Sequence, residues 1–245
     1  MSRADYRKGA KKARIHLGSD ISHSVPSAFF LTDGKSGERP FVSPILSPGQ
    51  TGVTDRGYQC HRRMFDLLQT EGKSFVCRIR AGTKKTVITE NPVSPGSPVF
   101  YDAAVLLGTP GVSQTEKKVR LVGYRIDNAV YWVATDRFDL PAEDIAAIYK
   151  LRWDIEKFFA WWKRHLKVYH LIARSINGLT VQILAGLITY LLLALYFRIR
   201  HNEKVSIKRV RQLRAEIRNK SRVLEKNFPV TKNIVIFNFE VNIKI

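Results

Sequence analysis

The chain has 245 residues, 44% of them hydrophobic, and carries 41 Lys plus Arg against 21 Asp plus Glu for a formal net charge of +20. That length and apolar content suit one large domain, or one domain with a sizeable insertion, around an ordinary core. The two cysteines, Cys60 and Cys77, lack metal-ligand spacing and exclude a disulfide framework or a zinc site, while the charge favours a polyanionic partner, nucleic acid ahead of a ribosomal or membrane surface.

The opening "MSRADYRKGAKKARIHLG" is basic without a following apolar run, so no secretory signal is expected and a reducing, cytoplasmic setting is the default. Residues 13 to 33 read as two short strands around "SHS", paired as neighbours, with Gly34 after the second. The Gly/Pro/Ser-rich "SPILSPGQTG" leads into "VTDRGY", where a strand ends at Asp55. "HRRMFDLLQTEG" reads as a helix stopped by Gly72, and "SFVCRIR" as a strand. Strand, helix and strand at this spacing predict a βαβ unit with parallel strands, whose sites gather beyond the strands' carboxyl ends, where Asp55 falls.

Between residues 82 and 136 three prolines precede the β-type runs "VFYDAAVLLG", "VRLVGYRID" and "AVYWVATD", which predict a β-rich insertion. "DLPAEDIAAIYKLRWDIEKFFAWWKRHLKV" follows as one long helix with Asp139 and Pro141 as start signals. The apolar "LTVQILAGLITYLLLALYF" could just span a bilayer by length, but Gln182 and Thr189 interrupt it, so a buried core helix is expected and no membrane. "VSIKRVRQLRAEIRNK" reads as a basic amphipathic helix, and the Asn/Ile/Lys-rich ending changes character abruptly. The expected division is residues 1–80 as the first part of a core, 81–137 as the insertion, 138–220 as a helical second part and 221–245 as a tail.

Within the long helical stretch, Tyr149, Arg152, Glu156 and Lys163 raise a question of chemistry. Successive helix residues turn by about 100°, so with Tyr149 at zero the other three lie at about 300°, 340° and 320° and share an arc of about 60°. Leu151, Ile155, Phe158, Phe159, Trp162 and Leu166 take the adjoining arc of about 180° to 280°, the side expected to pack into the core. The plain reading makes Arg152 and Glu156 an i,i+4 ion pair at a solvated margin, worth about 0.3–0.5 kcal/mol. The chemical reading makes Glu156 a carboxylate on the rim of a core, binding a hard divalent ion through oxygen, while cations beside it hold phosphodiester oxygens. One carboxylate needs partners, and Asp55 is the best placed; its plain alternative is a turn-forming Asp before Gly.

Tyr149, two residues, Arg152, three residues, Glu156, six residues, Lys163 resembles the signature of transposases of the insertion-sequence-four family, in the DDE superfamily. "TDRGY" resembles that family's second acidic motif, and the resemblance covers roughly residues 4 to 220. It implies an α/β fold, an RNase H-like catalytic core interrupted by a β-rich insertion with C-terminal helices. By the same resemblance Asp55 and Glu156 are catalytic ligands of Mg²⁺ (or Mn²⁺), and Tyr149, Arg152 and Lys163 contact DNA, with Arg56 and Lys167 counted beside them. The implied chemistry is metal-assisted attack of water and then of a 3′-hydroxyl on phosphodiester bonds. The implied partners are transposon-end and target DNA, with a homodimer in the DNA complex, a cytoplasmic protein associated with the nucleoid when bound. The family's first catalytic Asp lies on a strand ahead of a segment like "ADYRKGAKKARIHLG" and precedes Gly and Ser or Thr. The sequence starts at that segment, so a truncated chain is expected, with neither Asp5 nor Asp20 an evident replacement. The alternative reading is a catalytically dead remnant that occupies transposon ends.

Among other residues, Trp162 is expected in the core, while Trp153 and Trp161 are open to a DNA contact. His165 and His170 are five apart, which does not make a one-face metal pair, and His16 and His61 are isolated.

Overall fold

A computed structural model of the chain describes residues 13–20, 25–33, 36–153, 155–157, 159–160, 176–206, 209–210, 212–213 and 215–220. It divides into two units, Met1–Ile21 with Ser27–Glu156, and Ser22–Pro26 with Lys157–Ile245.

In the first unit, β3 (Thr51–Thr54) and β4 (Ser74–Arg78) run parallel, with Thr54 level with Cys77. The connection between them winds as a π-helical turn over His61–Asp66 and continues as the α-helical turn α2 (Leu67–Thr70). Gly72, at φ +66, takes the left-handed conformation that ends this helix, as the sequence predicts. The βαβ reading therefore matches what is observed.

The sheet continues beyond β4. β5 (Lys85–Glu90), β6 (Val99–Leu107), β7 (Val119–Ile126) and β8 (Ala129–Thr135) complete a six-stranded order β3-β4-β8-β7-β6-β5. All pairings from β4 outward are antiparallel, and a bulge between Val87 and Thr89 kinks the β5 pairing. The strands of the β-rich stretch thus share one mixed sheet with the parallel pair.

Both faces of that sheet are covered, which explains why "SFVCRI" is a continuous apolar run instead of an alternating one. Side chains alternate along β4: Phe75 and Cys77 enter one core with Met64, Phe65 and Leu68, where the Phe65 and Phe75 rings stack at 4.2 Å. Val76 enters the opposite core with Val122, Tyr124 and Val133, against a helix, α3 (Ala142–Lys150). That helix presents Ala142, Ile145, Ala146 and Tyr149, an i, i+3, i+4, i+7 stripe. Pro141 caps its start as expected, but Asp139 does not: its carboxylate holds Arg137 through two 2.7 Å hydrogen bonds.

β1 (Ala13–Asp20) and β2 (Val25–Asp33) form a separate two-stranded sheet. His16 is buried there, bonded to Thr32 Oγ1 at 2.9 Å and stacked at 4.0 Å on Phe41, next to the short helix α1 (Val42–Ile45). Burial, more than the neighbouring Glu38 and Arg14 charges, lowers the His16 imidazole below its ordinary value, and burial does the same to His61 against a Ser113 backbone bond. The unfolded chain then takes up these protons first, so their contribution is complete above about pH 6.5 and is lost as pH falls below it. The melting temperature should drop on acidification through that range, and His16→Gln should flatten the drop; an unaltered profile would show that His16 takes no part.

The sequence predicts one continuous helix from Asp139 onward, and the structure corrects this. α3 ends at Lys150, residues 151–152 form a turn, and helical residues resume at Trp153. Arg152 N bonds to Tyr149 O and Ile155 N to Arg152 O, both three residues back. Such tightened turns bring residues three apart into eclipse, so a wheel drawn at 3.6 residues per turn loses its phase there. Tyr149, expected on the open strip, is 2% exposed, and Leu151, expected in the core, is 44% exposed.

In the second unit, α4 (Ile176–His201) is long and apolar enough to cross a membrane by length and composition. Leu179, Ile183, Leu187, Tyr190 and Phe197 are buried, while Val181, Ile188, Leu192, Leu195 and Ile199 are exposed. The helix expected as a buried core helix is therefore buried along one stripe, with its other faces exposed among the described residues. Residues 209–210, 212–213 and 215–220 are helical, in the basic stretch predicted as such.

Candidate functional site

Asp55 is the first residue past the carboxyl end of β3, and it caps the 3-10 turn Arg56–Tyr58. Its Oδ1 accepts the Gly57 N–H at 2.8 Å. A β carbon at position 57 would lie 2.9 Å from that oxygen, so glycine is what lets the carboxylate fold back on this turn. The turn-forming role expected as the plain alternative is thus real, and among the described residues Oδ2 takes no part in it. Arg39 Nε donates to Gly57 O at 3.0 Å and fastens the turn from outside. Arg56 is exposed on the same turn.

The parallel register places the end of β4 beside Asp55. Cys77 is buried under it, its Sγ 3.6 Å from Asp55 O, and burial pushes that thiol up to about 12. A thiol held so high is poorly suited to act as a thiolate ligand. Arg78, the last residue of β4, lays its guanidinium 4.7 Å from the Tyr131 ring centre. The sequence reading passed over Arg78, although the rule that led to Asp55 applies to the neighbouring parallel strand equally.

Tyr149 reaches this region from the buried face of α3. Burial raises its phenol above the ordinary value; the Arg152 and Arg78 charges act in the other direction, and the Asp55 charge adds to the rise. The tight turn after α3 sets Arg152 over the Tyr149 ring, 5.8 Å from its centre, and 5.2 Å from the centre of the half-exposed Trp153. Neither Tyr149 Oη nor Arg152 Nε completes a well-directed hydrogen bond among the described residues.

Arg152 Nη1 meets Glu156 Oε1 at 2.7 Å, an i,i+4 ion pair in which the arginine is mostly buried and the glutamate is 48% exposed. The carboxylate read as lying at the rim of the core is therefore at the surface and held by Arg152. Burial opposes the positive charge on Arg152, and the Glu156 and Tyr149 interactions outweigh it, so the guanidinium sits above its ordinary value. Tyr149, Arg152 and Glu156 form a chain of neighbours, and Asp55 lies in the same unit. Lys163, Lys167, Trp161, Trp162, His165, His170 and Asp5 lie outside the described residues. Asp20 closes β1 and has an interaction of its own.

Among the described residues, no three His, Cys, Asp or Glu side chains form a group able to hold a metal ion. Two carboxylates nevertheless suit a small hard divalent ion, which takes one or two carboxylates and completes its shell with water and substrate phosphate oxygens.

A family model described as a transposase DDE domain matches residues 2–192. The chain is 29% identical over 192 residues to a sequence of Sinorhizobium fredii named as transposase y4zB, covering 76% of this chain and 54% of that one. It is 30% identical over 210 residues to one from Geobacillus stearothermophilus named as a transposase for insertion sequence element IS5377, covering 83% and 55%. A Synechocystis sequence named for insertion sequence element IS4SA is 25% identical over 207 residues, covering 79% and 56%. The chain thus spans about half the length of the curated relatives it matches. No solved structure matches it.

Proposed function

From its membership of the transposase DDE domain family, we propose that the chain acts on DNA, cutting and joining strands at the ends of an insertion sequence. Its mixed α/β unit is consistent with an RNase H-like core. The observation that supports this reading best is the placement of Asp55 just past the carboxyl end of β3, beside the end of the parallel β4, in the same unit as an Arg152 seated on Tyr149 and paired to Glu156.

In this reading Asp55 and Glu156 hold Mg²⁺ or Mn²⁺ through carboxylate oxygens. The bound ion would polarise the scissile phosphodiester and lower the pKa of an attacking water or 3′-hydroxyl. Tyr149 stays buried and supports Arg152 from below. Arg152 gives up Glu156 when a phosphate arrives, because a guanidinium binds phosphate and carboxylate with the same fork. Half-exposed Glu156 is then free to turn inward. Arg56, Lys163 and Lys167 add sequence-independent phosphate contacts, in keeping with a net charge of +20. Binding at paired ends by two copies, in the cytoplasm on nucleoid DNA, belongs to the same proposal.

One observation favours a second reading, a DNA-binding remnant without catalysis: the described residues contain no three-ligand metal group. The two readings part in a nicking assay on insertion-sequence end DNA, run in Mg²⁺ or Mn²⁺ and again with chelator. Nicking that requires the ion supports the enzyme; binding without nicking selects the remnant, and an absence of binding overturns both.

A further inference from the structure

A cleft of about 540 Å³ opens on the outer side of the turn that carries Asp55. Arg14, Arg39 and Arg63 line it, together with Glu38, Ser43 and Gly57. These arginines come from three places in the chain: β1, the turn before α1 and the π-helical turn after β3. Three guanidiniums thus face one carboxylate.

That carboxylate does little to neutralise the cleft. Glu38 lies 3.8 Å from Arg14, whose Nη1 also donates to Ser36 O at 2.6 Å, and the Glu38 charge also acts on the nearby Tyr58 phenol. Arg39 is held in place by Gly57 O, and Arg63 is exposed with no acidic partner among the described residues. The neighbouring Arg62 differs: it is paired with Glu116 and does not line the cleft. The charge excess therefore belongs to Arg39 and Arg63, and it sits over an apolar floor that includes Met64 and Leu67.

Gly57 belongs to both sites, since its N–H binds Asp55 Oδ1 and its backbone borders the cleft. Only Arg56 lies between Asp55 and Gly57, so the cleft margin lies within about 8 Å of the Asp55 backbone. Each DNA strand carries a phosphate about every 3.4 Å of rise. We propose that this cleft seats a backbone phosphate of the bound DNA one or two nucleotides from the bond held at Asp55, with Arg39 and Arg63 as its ligands. The proposal rests on the DNA-processing reading and adds to it a second anchoring point besides Arg152. Apolar contact from Met64 and Leu67 suits the sugar between phosphates. Such an anchor fixes the strand's register against the carboxylate without reading its sequence.

Anisotropy titrations of a short fluorescent duplex of mixed sequence, across a salt series, test this on the full chain. Arg63→Ala should weaken binding about three- to tenfold at moderate salt and make the slope of log affinity against log salt shallower by about one. Arg63→Lys should keep most of that slope, and Arg62→Ala, the same charge change one residue away, should leave it unaltered. Equal effects of Arg62→Ala and Arg63→Ala would overturn the cleft in favour of a diffuse field. Tight, salt-dependent binding by the unmodified chain with no effect of Arg63→Ala would overturn the cleft alone. Failure of the unmodified chain to bind the duplex would overturn both the cleft and the function it rests on.

Discussion

Glu156→Gln is expected to reduce metal-dependent DNA nicking by at least about a hundredfold, because a neutral amide is a poor ligand for a hard divalent ion. Duplex affinity should not fall and should rise slightly, since the lost group is an anion that competes with phosphate for Arg152. Folding should survive: the ion pair with Arg152 is half exposed on the glutamate side, and such pairs contribute about 0–1 kcal/mol. Nicking rates and duplex affinity measured on the same preparations separate these effects. A variant that nicks at the original rate would remove Glu156 from the metal site and leave its bond to Arg152 as its whole role.

Asp102→Ala should have the largest effect on stability, about 3–5 kcal/mol, the usual cost of stranding one member of a buried ion pair. Arg120 donates to Asp102 through Nε at 2.9 Å and Nη2 at 2.8 Å, and both side chains are at least nine-tenths buried. The same guanidinium binds the backbone oxygens of Arg137 and Leu140, so it fixes the loop that launches α3. Arg137 in turn reaches Thr51 Oγ1 on β3 at 2.9 Å. The pair therefore sets the placement of Tyr149 relative to Asp55 as well as stability. Urea unfolding should show a large fall in the transition midpoint for Asp102→Ala. A joint replacement of Asp102 and Arg120 by apolar residues should recover much of the loss, because desolvation of both charges disappears with them. A shift below about 1 kcal/mol for Asp102→Ala would show that water reaches the pair.

The parallel pair and its helical connection were legible because apolar runs, Gly72 and short spacings all pointed the same way. The position of Asp55 at the end of β3 was legible for a related reason, since the apolar run stops there at a turn-forming Asp-Arg-Gly. The break after Lys150 was not, since Leu151 and Arg152 carry no Gly or Pro to mark it and the change lies in hydrogen bonds made three residues back. Its result, Tyr149 inward and Leu151 outward, depends on packing against Tyr131 and Val133, which no local pattern encodes. Arg78 and the Arg120–Asp102 pair were missed because their meaning arises from neighbours far along the chain. A lone arginine in an apolar strand reads as surface until its partner is located.

The kink in β5 bears on how the protein survives its own synthesis. Val87 and Ile88 lie open on this outer strand, and a straight apolar margin of that kind invites fibril-like stacking between newly made molecules. The irregularity between Val87 and Thr89 throws its amides out of step with any incoming strand, and the charged ends at Lys85 and Glu90 discourage approach. A crowded cell can therefore accumulate the chain with less risk of losing it to aggregates.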